Sequence, residues 1–173
     1  MIFKPADIEN MSKEFGAHFV NSLPGYKSAN LLASVDDKKH SNLAIVSSVI
    51  HLGSRPALMG YINRPHSVPR HSLENIINNK YYSFNHIKQT MIDAAHQTSA
   101  RYPGNISEFE ATGLQEQWLA DFPAPFVAET VIKIGMRYVE HHTLLNQTVL
   151  VIGSVELVEV ADDLIRADGS IDI

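Results

Sequence analysis

Ile8, Met11, Phe15 and Phe19 fall on one stripe of a helix over residues 7–22, with Asn10, Lys13 and Glu14 off it. Asp7 is the expected N-cap, and Pro24-Gly25 stops the element. Such a stripe packs on the body of its own domain or on a partner subunit. From Tyr26 the pattern turns to strands. Residues 29–35 and 43–50, joined by the polar Asp36-Asp37-Lys38-Lys39-His40, read as a hairpin. Gly53-Ser54-Arg55-Pro56 predicts a turn, and residues 57–62 a third strand. A short helix over 72–79 with Ser72 as N-cap leads to a strand over 81–87 and a longer helix over 88–100. Residues 101–125 read as irregular, broken by Pro103-Gly104 and Pro123-Ala124-Pro125. In 126–138, Ile132, Ile134, Met136 and Tyr138 alternate with Lys133, Gly135 and Arg137, the period of a strand. Residues 148–160 form a long β-branched run, and Asp168-Gly169 a turn. Strands with inserted helices predict a mostly β chain with α decoration, built as a barrel. It reads as one domain over 1–173, with 1–25 as an N-terminal helical extension.

Composition narrows the chemistry. With 45% hydrophobic and 19% charged residues over 173 positions, the chain can bury a core of its own. It has no cysteine, which removes disulfides, cysteine-ligated metals and a thiol nucleophile. No apolar run approaches the ~20 residues that span a bilayer, and the first residues lack the pattern of a secretory signal. No membrane association and a cytoplasmic location are the expectation.

Charge is uneven. Residues 1–90 hold ten Lys/Arg against six Asp/Glu, and residues 91–173 hold four against thirteen. That is too sparse a basic surface for nucleic acid. It suits a small anion held by the first half, while the acidic second half also reads as a solvated face.

Two stretches could carry chemistry. Residues 63–72, Asn-Arg-Pro-His-Ser-Val-Pro-Arg-His-Ser, concentrate two arginines, two histidines and two serines between a strand and a helix start. Arginines grip phosphate bidentately, hydroxyls donate to it, and a helix N-terminus favours anions. The stretch matches no strict phosphate motif, so a polar surface loop with a capped helix is the other reading. Residues 42–48, Asn-Leu-Ala-Ile-Val-Ser-Ser, form a strand ending in hydroxyls that could lie along a flat ring system. They could equally be a plain core strand.

Together with His51-Leu-Gly-Ser-Arg-Pro56, Tyr82-Ser-Phe-Asn85-His86 and the residues from Ala95 to Glu110, the order of these stretches resembles the flavin reductase-like, FMN-binding split-barrel proteins over about residues 24–160. The resemblance implies a six-stranded Greek-key barrel that forms a homodimer and binds one FMN per subunit. It implies that Ala44, Ile45, Val46, Ser47 and Ser48 contact the ring and ribityl parts. It places Arg64, Ser67 and Arg70 on the phosphate with Ser72 nearby, and Asn85, Ser99 and Ala100 near the flavin. NAD(P)H is the implied reductant, with an unidentified acceptor. An FMN carrier without NAD(P)H turnover is the alternative, and a barrel that has lost flavin and serves only as an interaction dimer is a third.

Two departures from the family pattern stand out. Flavin reductases often carry Gly-Asp-His before the penultimate strand, where this chain has Leu145-Asn146-Gln147-Thr148, with His141 and His142 earlier. The pattern also predicts a further C-terminal segment beyond Ile173. No histidine pair falls at ligand spacing on a clear helix, so no metal is expected. The absence of Gly-x-Ser-x-Gly argues against a serine hydrolase. His86 and His96 read as core or polar-network residues, and Trp118 as a local packing anchor.

Overall fold

The computed structural model describes residues 1–65, 71–100, 102–103 and 106–173. Its centre is a seven-stranded antiparallel sheet in the order β2-β1-β5-β8-β9-β4-β3. The strands are β1 (Asn30–Val35), β2 (Ser41–Val46), β3 (Ile50–Ser54), β4 (Ala57–Asn63), β5 (Tyr81–His86), β8 (Ile132–Thr143) and β9 (Val149–Val160). Two short strands, β6 (Glu116–Gln117) and β7 (Phe126–Val127), pair separately. The fold is the mostly β, helix-decorated one expected, with seven strands in the main sheet where six were implied.

The seventh strand comes from a corner. Residues 43–50 read as one strand, but the chain leaves β1 after Val46 and resumes on β4 at Ile50. Ser48 makes this hand-over: its hydroxyl donates to the Ile62 carbonyl at 3.1 Å and accepts from the Ile62 amide at 3.0 Å. One side chain thus replaces two ladder bonds at the bend. Since β2 and β3 lie at opposite edges of the sheet, this short segment bends the sheet into a split barrel.

All six residues of β1 are buried, because the strand has a core on each face. Leu32 turns inward onto Tyr61, Tyr82, Phe84, Ile134 and Val151. Leu31 and Ala33 turn outward onto Met91, Ala95, Phe109 and Val127. That outer layer is supplied by α4 (Ile92–Gln97) and α5 (Glu108–Thr112). The expected helix over 88–100 is a 3-10 turn at Gln89–Met91 followed by α4, and α5 lies in the stretch read as irregular.

α3 (His71–Asn79) covers the inner face of the same end of the barrel. Leu73 and Ile76 are buried on it, and Asn79 donates to the Val35 carbonyl at 2.8 Å. The helix stops at Lys80, whose φ of 68° is left-handed and whose amide reaches back to the Ile76 carbonyl. Ser72 was expected as its N-cap. It sits inside the helix instead, its hydroxyl accepting from Asn42 Nδ2 at 2.8 Å.

The N-terminal expectation also divides. α1 (Pro5–Glu9) and α2 (Lys13–Ser22) are separate helices, because Ser12 caps the second through Phe15 N–H. Asp7 is in the first turn of α1, its carboxylate accepting from Lys4 N–H at 2.7 Å, and is no N-cap. Neither helix buries a residue within the chain. Trp118 is 50% exposed, so the nearby cluster of Phe122, Ala124 and Phe126 is built without it. The period-two run from residue 126 is interrupted: Phe126–Val127 belong to β7 and the long strand starts at Ile132.

Candidate functional site

A cavity of about 720 Å³ opens where β2, the Ser47–Ser48 corner, the start of α3 and the end of α4 meet. One wall is Ala44, Ile45 and Val46, all half-buried, with Leu32 and Tyr61 behind them. Ser47 and Ser48 follow at the bend. Arg64, exposed directly after β4, stands at one side with His71 and Ser72 of α3. Ser99 and Ala100 face them from the loop after α4, and Tyr102 and Glu108 complete the far side. The volume falls within the roughly 300–1,000 Å³ of small-ligand sites.

Two side chains fix that far wall to the edge strand. β2 has β1 on one side only, so the N–H groups of Leu43 and Ile45 point away from the sheet. Glu108 Oε2 accepts from Leu43 N–H at 2.9 Å, and Thr98 Oγ1 accepts from Ile45 N–H at 2.9 Å. The Thr98 hydroxyl donates in turn to the Ala95 carbonyl at 2.8 Å, so it serves both groups at once. The next amide in this outward row is Ser47 N–H, which has no partner among the described residues. Ser47 itself lines the cavity.

Nine of the twelve residues singled out from the sequence line this one cavity: Ala44, Ile45, Val46, Ser47, Ser48, Arg64, Ser72, Ser99 and Ala100. Ser67 and Arg70 lie outside the described residues. Asn85 does not line the cavity, and its side chain is fully buried. Its Nδ2 donates to the Leu31 carbonyl at 3.1 Å and to Ser83 Oγ at 2.9 Å, and its Oδ1 accepts from Val127 N–H at 2.9 Å. That tie joins β1, β5 and β7. Sequence reasoning missed Thr98 and Glu108, whose partners lie 53 and 65 residues away.

A second cavity of about 460 Å³ adjoins the first, sharing Asn42, His71, Tyr102 and Glu108 with it. Its other walls carry Asp36, Glu74 and Glu110 beside His40. Among the described residues no group of His, Asp and Glu is arranged to hold a metal ion. His141 bonds the Tyr138 hydroxyl at 2.6 Å, and His142 pairs with Glu140 at 3.4 Å; both are exposed on β8 and neither lines the cavity. His86 is half-buried, and burial lowers its imidazole pKa, whereas His96 is exposed and belongs to no core.

Deep in the barrel, the hydroxyls of Tyr61 and Tyr82 are buried without a hydrogen-bond partner among the described residues. Burial pushes both phenols well above their ordinary pKa, so they stay protonated. They are packing groups of the barrel interior, with ring centroids 6.3 Å apart.

The site therefore joins a flat apolar wall, a free amide at the end of that wall, and a guanidinium with hydroxyls at the side. A planar heterocycle bearing a polyol and a phosphate has the matching order of groups. No helix of the described residues is long and apolar enough to cross a membrane.

Comparison with known proteins places the fold and the family. No curated protein sequence matches the chain. A crystal structure from Shewanella frigidimarina NCIMB 400, of a protein assigned as a flavin reductase with a split barrel domain, superposes with a TM-score of 0.95 at 49% identity, covering 99% of this chain and 86% of that one. Nitrilotriacetate monooxygenase component B from Bacillus cereus superposes at 0.87 with 19% identity, covering 99% and 86%. Flavoredoxin of Desulfovibrio vulgaris (Miyazaki F) superposes at 0.72 with 18% identity, covering 85% and 76%. The latter two share the fold. The model of the flavin reductase like domain matches residues 23–170, and the chain belongs to that family of flavin-binding oxidoreductases.

Proposed function

We propose that the chain binds FMN in the 720 Å³ cavity and passes electrons from NAD(P)H through it to a separate acceptor. The observation that carries this reading is the ordered lining: apolar β2 wall, free Ser47 amide, then Arg64 and Ser72. A bound flavin supplies the redox chemistry, taking a hydride and giving up electrons. The chain supplies position. Ala44, Ile45 and Val46 offer a flat face to the ring, and Ser47 N–H donates to its edge. Ser99 and Ala100 close the opposite side. Arg64 holds the phosphate by charge-assisted hydrogen bonds, with the Ser72 hydroxyl beside it. Ser67 and Arg70 belong to the same proposed grip. No side chain need transfer a proton, so no catalytic residue is assigned.

The same reading includes a homodimer. On the outer side of β3 and β4, Ile50 and Leu52 are 42% and 41% exposed, and Leu52 and Leu150 close over Gly60. Phe15, Val20 and Leu23 of the N-terminal segment are also exposed. Apolar surface of this kind is what a second copy would cover.

The absorbance spectrum of the purified chain tests the cofactor, followed by rapid mixing with NADH and NADPH. Bound flavin that bleaches on mixing is the expected result. A colourless protein that takes up no added FMN would overturn the reading. Charge reversal, Arg64→Glu, should weaken FMN binding by roughly tenfold to a hundredfold, the scale of a lost charged hydrogen bond replaced by repulsion. Unchanged affinity removes Arg64 from the phosphate site.

A second reading, an FMN carrier without NAD(P)H turnover, is favoured by one observation. His141 and His142 are tied to Tyr138 and Glu140 and do not line the cavity of this chain. Fast bleaching by either nicotinamide would exclude it.

A further inference from the structure

The two adjoining cavities differ in charge, and Glu108 stands at the seam between them. It lines both. Arg64 belongs to the first cavity only, while Asp36 and Glu110 belong to the second only. One oxygen of Glu108 is held by Leu43 N–H at 2.9 Å, which fixes the carboxylate against the edge strand. The other has no hydrogen-bond partner among the described residues, and the residue is only half-buried. A negative charge is thereby held in place where the cofactor cavity continues into its neighbour.

We propose that Glu108 is a specificity-determining residue that makes this site select a flavin mononucleotide over a flavin adenine dinucleotide. The proposal rests on the reading that a flavin phosphate sits at Arg64. A mononucleotide ends at that phosphate, so its charge stays on the Arg64 side. A dinucleotide must send a second phosphate and an adenosine onward. The adjoining cavity is large enough for part of them, at about 460 Å³, so volume alone does not exclude the longer cofactor. Its charge does. The second phosphate would pass the fixed Glu108 carboxylate and then meet Asp36 and Glu110, with no arginine or lysine among the cavity's described lining residues. Charge repulsion in a partly enclosed site is screened less than on open surface, and discrimination by an unfavourable contact needs no extra bond to the preferred ligand.

Glu74 also lines the second cavity but has an interaction of its own. The Asp36 carboxylate accepts from Lys38 N–H and His40 N–H, each at 2.8 Å, so its position is fixed as well. His40 is paired with that carboxylate at 3.0 Å, which leaves its ring turned toward Asp36.

The test is titration of the flavin-stripped full chain with FMN and with FAD, following flavin fluorescence, at low and high salt. The wild-type chain should bind FMN at least about tenfold more tightly than FAD at low salt, the scale of one unit charge in a partly screened site. Glu108→Gln keeps an acceptor for Leu43 N–H while removing the charge, and should narrow that ratio severalfold. Glu110→Gln, an exposed change outside the cofactor cavity, should narrow it less and guards against a folding defect in the first variant. Added salt should narrow the wild-type ratio too. Equal affinity of the wild type for both flavins, or an unchanged ratio in a Glu108→Gln variant that still binds FMN, overturns the proposal. Binding of neither flavin overturns the FMN reading on which it stands, a result distinct from either.

Discussion

The two ends of the sheet are built from similar strands and finished in opposite ways. At the β1–β2 end, α3, α4 and α5 cover the sheet, and every residue of β1 is buried. At the β3–β4 end no helix of the described residues packs on the outer face, and Ile50 and Leu52 remain open. The covered end holds the cavity. Edge strands are normally protected against pairing with other chains, and β2 is protected by side chains, Glu108 and Thr98, rather than by a neighbouring strand. That choice leaves one amide of the edge, at Ser47, free for a ligand. The bare end has no helix of the described residues over it, in keeping with the proposed second copy.

The largest expected contrast comes from matched leucines at the two ends. Leu32→Ala removes a fully buried side chain from the barrel interior and should cost about 2–5 kcal/mol in urea unfolding. Leu52→Lys at the bare end should change the unfolding free energy of the separated chain by no more than about 0.5 kcal/mol. In light scattering, however, it should shift the protein toward monomer. Equal costs for the two would erase the distinction between a finished end and an open one.

Thr98→Val is the next in size. Valine keeps the volume but leaves Ile45 N–H without its acceptor, and should cost about 1–3 kcal/mol. FMN affinity should fall with it, because Ser99 and Ala100 follow directly on the same wall. Loss of stability with unchanged FMN affinity would separate the clasp from the site.

His86 gives the smallest effect, and its sign is fixed by burial. The imidazole sits at the end of β5, half-buried, with its pKa held below the unfolded value near 6.5. The unfolded chain therefore binds the proton more readily as pH falls through about 6.5, and stability declines there until the folded pKa is passed. Replacement by Gln should flatten this part of the pH–stability curve measured by denaturant unfolding. An unaltered curve would assign the slope to other groups.

Much of the fold was legible because strand and helix periods are local. The alternation from Ile132, the β-branched run before Val160 and the helix before Lys80 all appear close to their expected bounds. The single strand expected over residues 43–50 was not what formed, because nothing local marks Ser48 as the group that binds Ile62 across the corner. Trp118 looked like an anchor by its apolar neighbours, yet Phe122 and Phe126 fill the local core without it. Asn85 was expected near the flavin by family resemblance, and what no local pattern showed is that its three hydrogen bonds tie strands together.

By itself the sequence determined which residue types were available: a Pro-fixed, arginine-bearing loop, an apolar strand ending in serines, and no cysteine chemistry. Those follow from composition and short-range order. Only the tertiary structure decided which of them share a cavity, and which carboxylate stands at its far side. Glu108 meets Leu43, and Thr98 meets Ile45, across more than fifty residues of chain. Such contacts are set by how the sheet curls and the helices pack, so no local pattern can specify them.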